Sequence, residues 1–272
     1  MPLPGVFIAK KKDGTTYYRS SITYLSKHIS LGSFSTEAKA HQAYCSALKI
    51  LHTKQRRRSL TDVPHYEDYL QEKVGLSFDK WIMLLNLRDS RIYCRNPIYL
   101  QESYFLYYLS PHIVLKFDAD DLFYYMKHKI MQRGGHLFVC EYGMQVSILS
   151  RYGIRSFSVL NRDYRFVNGD PMDFRYRNIQ IINRYFGVTK SVQKGRDVYT
   201  AKIHLNGDYI IGRYPTEVEA AIAYNKAANY LRSKGLEKAF PENYIESLDD
   251  ITYAKIYNTV RLSSKIRNYC ID

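Results

Sequence analysis

One stretch of this chain occurs twice. Gly32 to Leu51 reads GSFSTEAKAHQAYCSALKIL, and Gly212 to Leu231, at an offset of 180 residues, reads GRYPTEVEAAIAYNKAANYL. Eight residues recur in place: Gly32/Gly212, Thr36/Thr216, Glu37/Glu217, Ala40/Ala220, Ala43/Ala223, Tyr44/Tyr224, Ala47/Ala227 and Leu51/Leu231. Such self-similarity is the mark of one structural unit used twice. The chain must therefore fold as two related modules with something different between them.

The residues around each copy predict the same order of elements. In the first module, residues 1–58, Gly5-Val-Phe-Ile-Ala is a strand and Lys10-Lys-Lys-Asp-Gly14 is a turn with a basic flank. Thr16 to Tyr24 and His28 to Phe34 supply two more strands, and a helix starts after Thr36. In the second module, residues 185–243, Gly187-Val188 opens the first strand. Val198 to Leu205 is the second, Asn206-Gly207 a hairpin turn, and Asp208 to Tyr214 the third. Thr216 and Glu219 fit a capping box, and Gly235 fits a helix stop. The repeated alanines and tyrosine form a narrow stripe of mostly small side chains. Small residues there let the helix lie close against a three-stranded antiparallel sheet.

Between the modules, residues 59–98 read as a helical linker, with amphipathic helices at Tyr66 to Gly75 and Phe78 to Leu87. Trp81, the only tryptophan, reads as a core anchor. In residues 99–184, His112 to Phe117 is a strand. Asp118-Ala-Asp-Asp121 starts a helix that Arg133-Gly-Gly135 breaks. A hairpin surrounds Tyr142-Gly143, and a strand from Tyr164 runs into the turn Asn168-Gly-Asp-Pro171. The tail, residues 244–272, has near-helical apolar spacing from Ile245 to Ile266. It can dock on the core or join a second copy in a homo-oligomer.

Charge narrows the partners. The net charge is +14 and unevenly spread: residues 1–58 hold 11 Lys/Arg against 2 Asp/Glu, residues 59–184 hold 16 against 14, and residues 185–243 hold 9 against 6. That points to a polyanion, of which nucleic acid is the commonest. The four cysteines, Cys45, Cys94, Cys140 and Cys270, never form C-x-x-C, which fits reduced thiols and a cytoplasmic protein, nucleoid-associated if bacterial. No apolar run approaches the ~18 residues of a membrane span, and MPLPGVFIAKKK is not a signal peptide. His128, His136 and Cys140 lack paired metal-ligand spacing, and Asp118, Asp120 and Asp121 suit a helix start. No metal and no cofactor are expected.

Three strands followed by Leu/Ile-Gly-x-Phe/Tyr-x-Thr-x-x-x-Ala-x-x-Ala-Tyr-x-x-Ala on a helix resembles the Apetala-two/ethylene-response-factor DNA-binding domain. The second copy carries it in Gly187-Val188, Tyr199-Thr-Ala-Lys-Ile203, Ile211-Gly212, Tyr214, Thr216, Ala220, Ala223-Tyr224 and Ala227. The first carries it in Gly5-Val6, Tyr18, Ile22, Leu31-Gly32, Phe34, Thr36, Ala40, Ala43-Tyr44 and Ala47. The resemblance implies that the sheet, not the helix, enters the major groove of double-stranded DNA. Alternation then selects the readers. With Ala201 and Ile203 facing the helix, Lys202 and His204 face out; with Val188 facing in, Thr189 and Ser191 face out. Lys190, Lys194 and Arg196 lie near the edge for phosphates. In the first copy the same register points Ser21 and Thr23 outward, with Lys10, Lys11 and Lys12 in the preceding loop and Arg56, Arg57 and Arg58 after the helix. Such domains place several arginines on this face, whereas this reading finds Thr, Ser, Lys and His, so a strongly GC-rich target is not expected. Nor does this register present the stacked aromatics of single-strand RNA readers.

The middle resembles an HNH nuclease, which often accompanies this domain. Matching positions are Leu149-Ser150-Arg151, Arg165-Phe166-Val167-Asn168-Gly169-Asp170, Met172-Asp173-Phe174-Arg175 and Asn178-Ile179-Gln180. Asn168, Gly169, Asp170, Asp173, Arg175 and Asn178 keep the scaffold of that pattern. The chemistry is lost. Phe166 replaces the general-base histidine, Arg165 the adjacent acid, and Phe174 the asparagine that orients the base. A base alone contributes roughly 10²–10⁴ in rate. The expectation is an α+β, non-catalytic DNA-binding protein, a transcriptional regulator or a mobile-element-derived protein, whose two modules flank a degenerate HNH-like domain. Two other readings stay open: a nuclease using unrecognised residues, and a non-catalytic protein-interaction scaffold.

Overall fold

A computed structural model describes residues 2–53, 63–72 and 75–270 of the chain. The fold is α+β and divides into two compact units, each built around one copy of the repeat. The first unit comprises Met1–Ile148 and Asp170–Asn178, the second Leu149–Gly169 and Ile179–Asp272. Arg56, Arg57 and Arg58 lie outside the described residues.

In the first unit, β1 (Val6–Lys10), β2 (Thr16–Tyr24) and β3 (Lys27–Phe34) form an antiparallel sheet in that order, with α1 (Glu37–His52) behind it. Next come α2 (Tyr66–Glu72) and α3 (Phe78–Ser90), then a sheet of β4 (Ile98–Leu100), β5 (Tyr104–Ser110) and β6 (Ile113–Asp118). α4 (Leu122–Lys127) leads to the sheet of β7 (Met131–Arg133), β8 (His136–Glu141) and β9 (Met144–Ser147). α3, read from sequence as part of a linker, lies at the centre of this unit's core. Trp81, Leu84 and Leu87 share one apolar cluster with Ile22, Ile29 and Leu31 of the first module and with Tyr99, Leu106 and Tyr108.

The helix expected to run from Asp118 to the glycine pair stops early. It opens as a 3-10 turn and ends at Lys127. Ile130 is drawn into the core, where its N–H donates to the Tyr107 hydroxyl at 3.0 Å. Gly134 and Gly135, both at positive φ, turn β7 into β8. The glycine pair is a hairpin turn, not a helix stop.

In the second unit, β10 (Tyr164–Phe166) and β11 (Ile179–Ile181) pair, and β12 (Val188–Gln193), β13 (Arg196–His204) and β14 (Asp208–Tyr214) form the second module's sheet. α5 (Glu217–Ser233) braces it, and α6 (Asp250–Thr259) and α7 (Ser264–Arg267) follow. The tail docks on its own core. Val260 and Ile266 are buried with Ile211 and Leu231. The Lys226 ammonium donates to the carbonyls of Tyr257 at 2.6 Å and Val260 at 2.9 Å.

Six of the eight repeated residues have a structural task that is the same in both copies. Thr36 and Thr216 cap the helix, their hydroxyls accepting from the N–H of Lys39 and Glu219. Glu37 and Glu217 reach the incoming chain, accepting from the N–H of Leu3 and Arg184, each at 2.7 Å. In the second copy Glu219 accepts from the Thr216 hydroxyl and not from the Thr216 backbone N–H, so the pair departs from the expected capping box, and Glu217 bonds the incoming chain instead. Ala40, Ala43 and Ala47, like Ala220, Ala223 and Ala227, are fully buried between helix and sheet. Tyr44 and Tyr224 lie over Gly5 and Gly187, both in the left-handed region at φ +74° and +72°. A methyl on Gly187 would stand 2.5 Å from the Lys202 carbonyl and 2.5 Å from the Tyr224 ring.

Gly187→Ala should therefore destabilise the protein by about 2–5 kcal/mol, combining left-handed strain with overpacking. A shift of the urea midpoint worth less than about 0.5 kcal/mol, the range of a neutral surface change, would contradict this packing. Ser20, the counterpart of Ala201, buries a hydroxyl with no partner among the described residues. Ser20→Ala should stabilise by about 1 kcal/mol in the same assay, and a loss of stability would show that the hydroxyl is satisfied.

Candidate nucleic-acid interface

The register of the second sheet sorts its residues into two faces. Val188 pairs with Ala201, which pairs with Gly212, and these face α5. The neighbouring rank, Thr189–Thr200–Arg213, therefore faces away. A bulge between Ala201 and Lys202 resets the pairing, so that Ile203 stays inward while Lys202 pairs with Ile210, and His204 with Asp208, on the outer face. The outward positions expected from the sequence, Thr189, Ser191, Lys202 and His204, thus share one face. Lys202, His204 and Arg213 are its exposed basic groups.

Thr200 follows from the same alternation that selects Lys202 but was not among the expected readers, and Arg213 was missed because it lies on the third strand, which was not sorted into faces. The third strand carries Arg213 one residue after Gly212, and inward Gly212 is the signal that would have found it. The face therefore does present an arginine, with no hydrogen-bond or ion-pair partner among the described residues. This corrects the expectation of an arginine-free surface.

His204 Nδ1–H donates to Asp208 at 2.8 Å. That hydrogen bond, helped by the charges of Lys202 and Arg162, holds the Asp208 carboxyl below its ordinary range. Lys190 lies on the same side as Val188, and its ammonium meets Asp197 at 2.6 Å and stands over the Tyr199 ring. It is thus not among the outward set. Lys194 occupies the turn between β12 and β13 at positive φ, and Arg196 opens β13; both are exposed.

The first sheet has the same geometry with different side chains. A bulge again falls between Ser20 and Ser21. Thr23 is outward and exposed, but Ser21 is only 9% exposed and offers little to a ligand. Lys10 ends β1, and Lys11 and Lys12 lie in the exposed turn before β2. The outer rank is Phe7–Arg19–Ser33, with Ala9 paired to Tyr17 beside it. Phe7 is 57% exposed. This face thus carries aromatic side chains and an arginine, contrary to the expectation from the sequence, which followed Ser21 and Thr23 and not the first strand. Aligned through the two bulges, the outward pairs are Phe7/Thr189, Arg19/Thr200, Ser21/Lys202, Thr23/His204 and Ser33/Arg213. None is identical.

The HNH-like positions fall in both units, and each is described within its own. In the first, Phe174 is buried and stacked on Phe117 at 5.4 Å. Asp173 pairs with Arg175, and Asn178 donates to the Asp173 carbonyl at 2.7 Å. Asp170 accepts from the N–H of Met172. In the second, Arg165 is exposed and donates to Gln180 at 2.7 Å, and Phe166 meets Tyr164 edge to face. Asn168 and Gly169 form an exposed turn, with Gly169 at positive φ. Among the described residues, no three His, Cys, Asp or Glu side chains come together to hold a metal ion, and no helix is long and apolar enough to cross a membrane. His128 bonds the Tyr124 carbonyl.

A buried polar clasp joins residues 159–163 to the second module. Asp163 is 5% exposed and Asn183 3%. The Asn183 amide donates to the Arg162 carbonyl at 2.7 Å and to Asp163 at 3.2 Å, and its oxygen accepts the N–H of Lys190 at 2.8 Å. Asp163 also accepts from the N–H of Val159 at 2.8 Å and binds the Arg162 guanidinium at 2.6 Å. Burial pushes the Asp163 carboxyl up, but Arg162, the Val159 N–H and Asn183 outweigh it and hold it below the ordinary range.

A carboxyl depressed in the folded state stabilises fully above its unfolded value, about 3.9, and loses that contribution as pH falls below it. The denaturation midpoint should hold steady between about pH 7 and 5 and fall below about pH 4. Asp163→Asn should lower stability at neutral pH and flatten the acid fall. An acid profile identical in wild type and variant would remove Asp163 from this role.

Comparison of the chain with protein families, with curated proteins and with solved structures finds no match to any of them.

Proposed function

We propose that the chain is a non-catalytic, double-stranded-DNA-binding protein that reads DNA with the outward face of the β12–β13–β14 sheet. The observation that carries this reading is the sorting of that sheet. The residues shared with the first copy face the helix, while the opposite face holds Thr189, Thr200, Lys202, His204 and Arg213, polar and charged groups suited to base edges and phosphates. The first sheet, with Arg19, Thr23 and Lys10 to Lys12, is a second contact in the same chain. Two weak contacts on one chain raise the effective concentration of the second and can strengthen binding by ~10²–10⁴. The role is regulation or organisation of DNA in the cytoplasm or nucleoid. The tail's buried Val260 and Ile266 favour a chain that acts without pairing through its tail.

Binding to a random-sequence duplex, followed by fluorescence anisotropy across salt concentrations, tests the reading. Wild type should bind with affinity falling steeply as salt rises. The triple variant Lys202→Ala, His204→Ala, Arg213→Ala should lose at least about tenfold, roughly one to two contacts' worth of free energy. Unchanged affinity in a folded triple variant would displace the contact from this face, and salt-independent or absent binding would favour a protein-interaction scaffold. Incubation with supercoiled plasmid and Mg²⁺ or Mn²⁺ should leave the plasmid intact; nicking by pure protein would overturn the non-catalytic part.

A further inference from the structure

The segment Leu149–Gly169 lies in the same compact unit as the second module, and its composition is lopsided. It holds four arginines, Arg151, Arg155, Arg162 and Arg165, against one acid, Asp163. That acid is committed inward. It is buried, accepts from Asn183 and the Val159 N–H, and holds the Nε and Nη2 of Arg162. Asn183 bridges the Arg162 carbonyl to the Lys190 N–H of β12, so Arg162 is tied to the sheet through a single side chain. Arg162 itself is 58% exposed, and its Nη1 has no partner among the described residues. Its charge reaches Asp208, the partner of His204 at the hairpin end of the outer face. Three residues on, Arg165 is exposed and aligned by its 2.7 Å bond to Gln180 across the β10–β11 pair.

We propose that residues 149–169 are a further DNA-contact element belonging to the second module, in which Arg162 and Arg165 grip the phosphate backbone beside the sheet face. This rests on the reading of that sheet as a DNA-binding surface. The chemistry favours phosphate over base. Both guanidiniums are held by neighbouring oxygen acceptors and lie off the sheet, and planar guanidinium groups with free N–H edges match phosphate oxygens. The clasp supplies what such a contact needs: a buried, fully bonded support that fixes the backbone of Arg162 relative to β12. On this account a segment whose sequence resembles a nuclease core holds DNA without cutting it, and Arg165, where that pattern has an acid, attracts the phosphate that an acid would repel in the absence of a metal.

The test is the salt dependence of duplex binding by the full chain. Each phosphate contact removed should lower the slope of log K against log salt by about 0.9. Arg165→Gln and Arg162→Gln should each do so, the pair together by roughly twice as much. Arg162→Lys, which keeps the charge, should retain the slope. Lys255→Gln, on exposed α6, should change nothing. Circular dichroism confirms folding; if Arg162→Gln disturbs the clasp, Arg165→Gln and Arg162→Lys decide. Wild-type binding with an unchanged slope in folded Arg165→Gln and Arg162→Gln would overturn this inference while leaving the sheet reading intact. Wild type that binds no duplex at any salt would instead overturn the sheet reading.

Discussion

The contact on which each module depends is a tyrosine ring seated on a glycine backbone. Tyr44 covers Gly5 and Tyr224 covers Gly187, and in both the glycine takes a conformation that other residues adopt only under strain. The seat sets the distance between helix and sheet. The fully buried alanines beside the tyrosine and one turn to either side of it on α1 and α5 then keep that distance, since any larger side chain would push the layers apart. Capping threonine and tethering glutamate fix where the helix begins and where the chain enters. The repeated residues thus form one mechanical device, used twice.

That device accounts for what is repeated and for what is not. Packing constrains the inner face, where a one-methyl change costs energy. The outer face carries no such constraint, and at the aligned positions the two sheets differ throughout: Phe7 against Thr189, Arg19 against Thr200, Ser33 against Arg213. One copy presents an aromatic side chain and an arginine, the other hydroxyls and three basic groups. The buried clasp of Asp163 and Asn183 ties to the edge strand β12 of the second module a segment far from the repeat in character.

Much of this was legible in the sequence for a physical reason. The strand–strand–strand–helix order follows from glycine turns, alternation and a capping threonine, all local signals, and Trp81 and the helix brace follow from residue size. What escaped depended on distant partners. The fate of Ile130, drawn to the Tyr107 hydroxyl, ended a helix that local signals would continue. The outward place of Arg213 follows only once the pairing of β14 with β13 shows that Gly212 faces in, and the place of Lys190 on the Val188 side depends on its contacts with Asp197 and Tyr199 across the strand. Bulges at Ala201/Lys202 and Ser20/Ser21 shift the register by one residue and are invisible to simple alternation. The clasp was unreadable because Asp163 and Asn183 lie 20 residues apart and meet only through the paired β10 and β11.

The most direct measurement of the central claim, that a brace-supported sheet reads duplex DNA, is selection of the intact protein against a pool of random duplexes at two salt concentrations. The account predicts an enriched duplex motif at both and retention that falls steeply from the lower salt to the higher. A pool that stays random, with retention indifferent to salt, would contradict it.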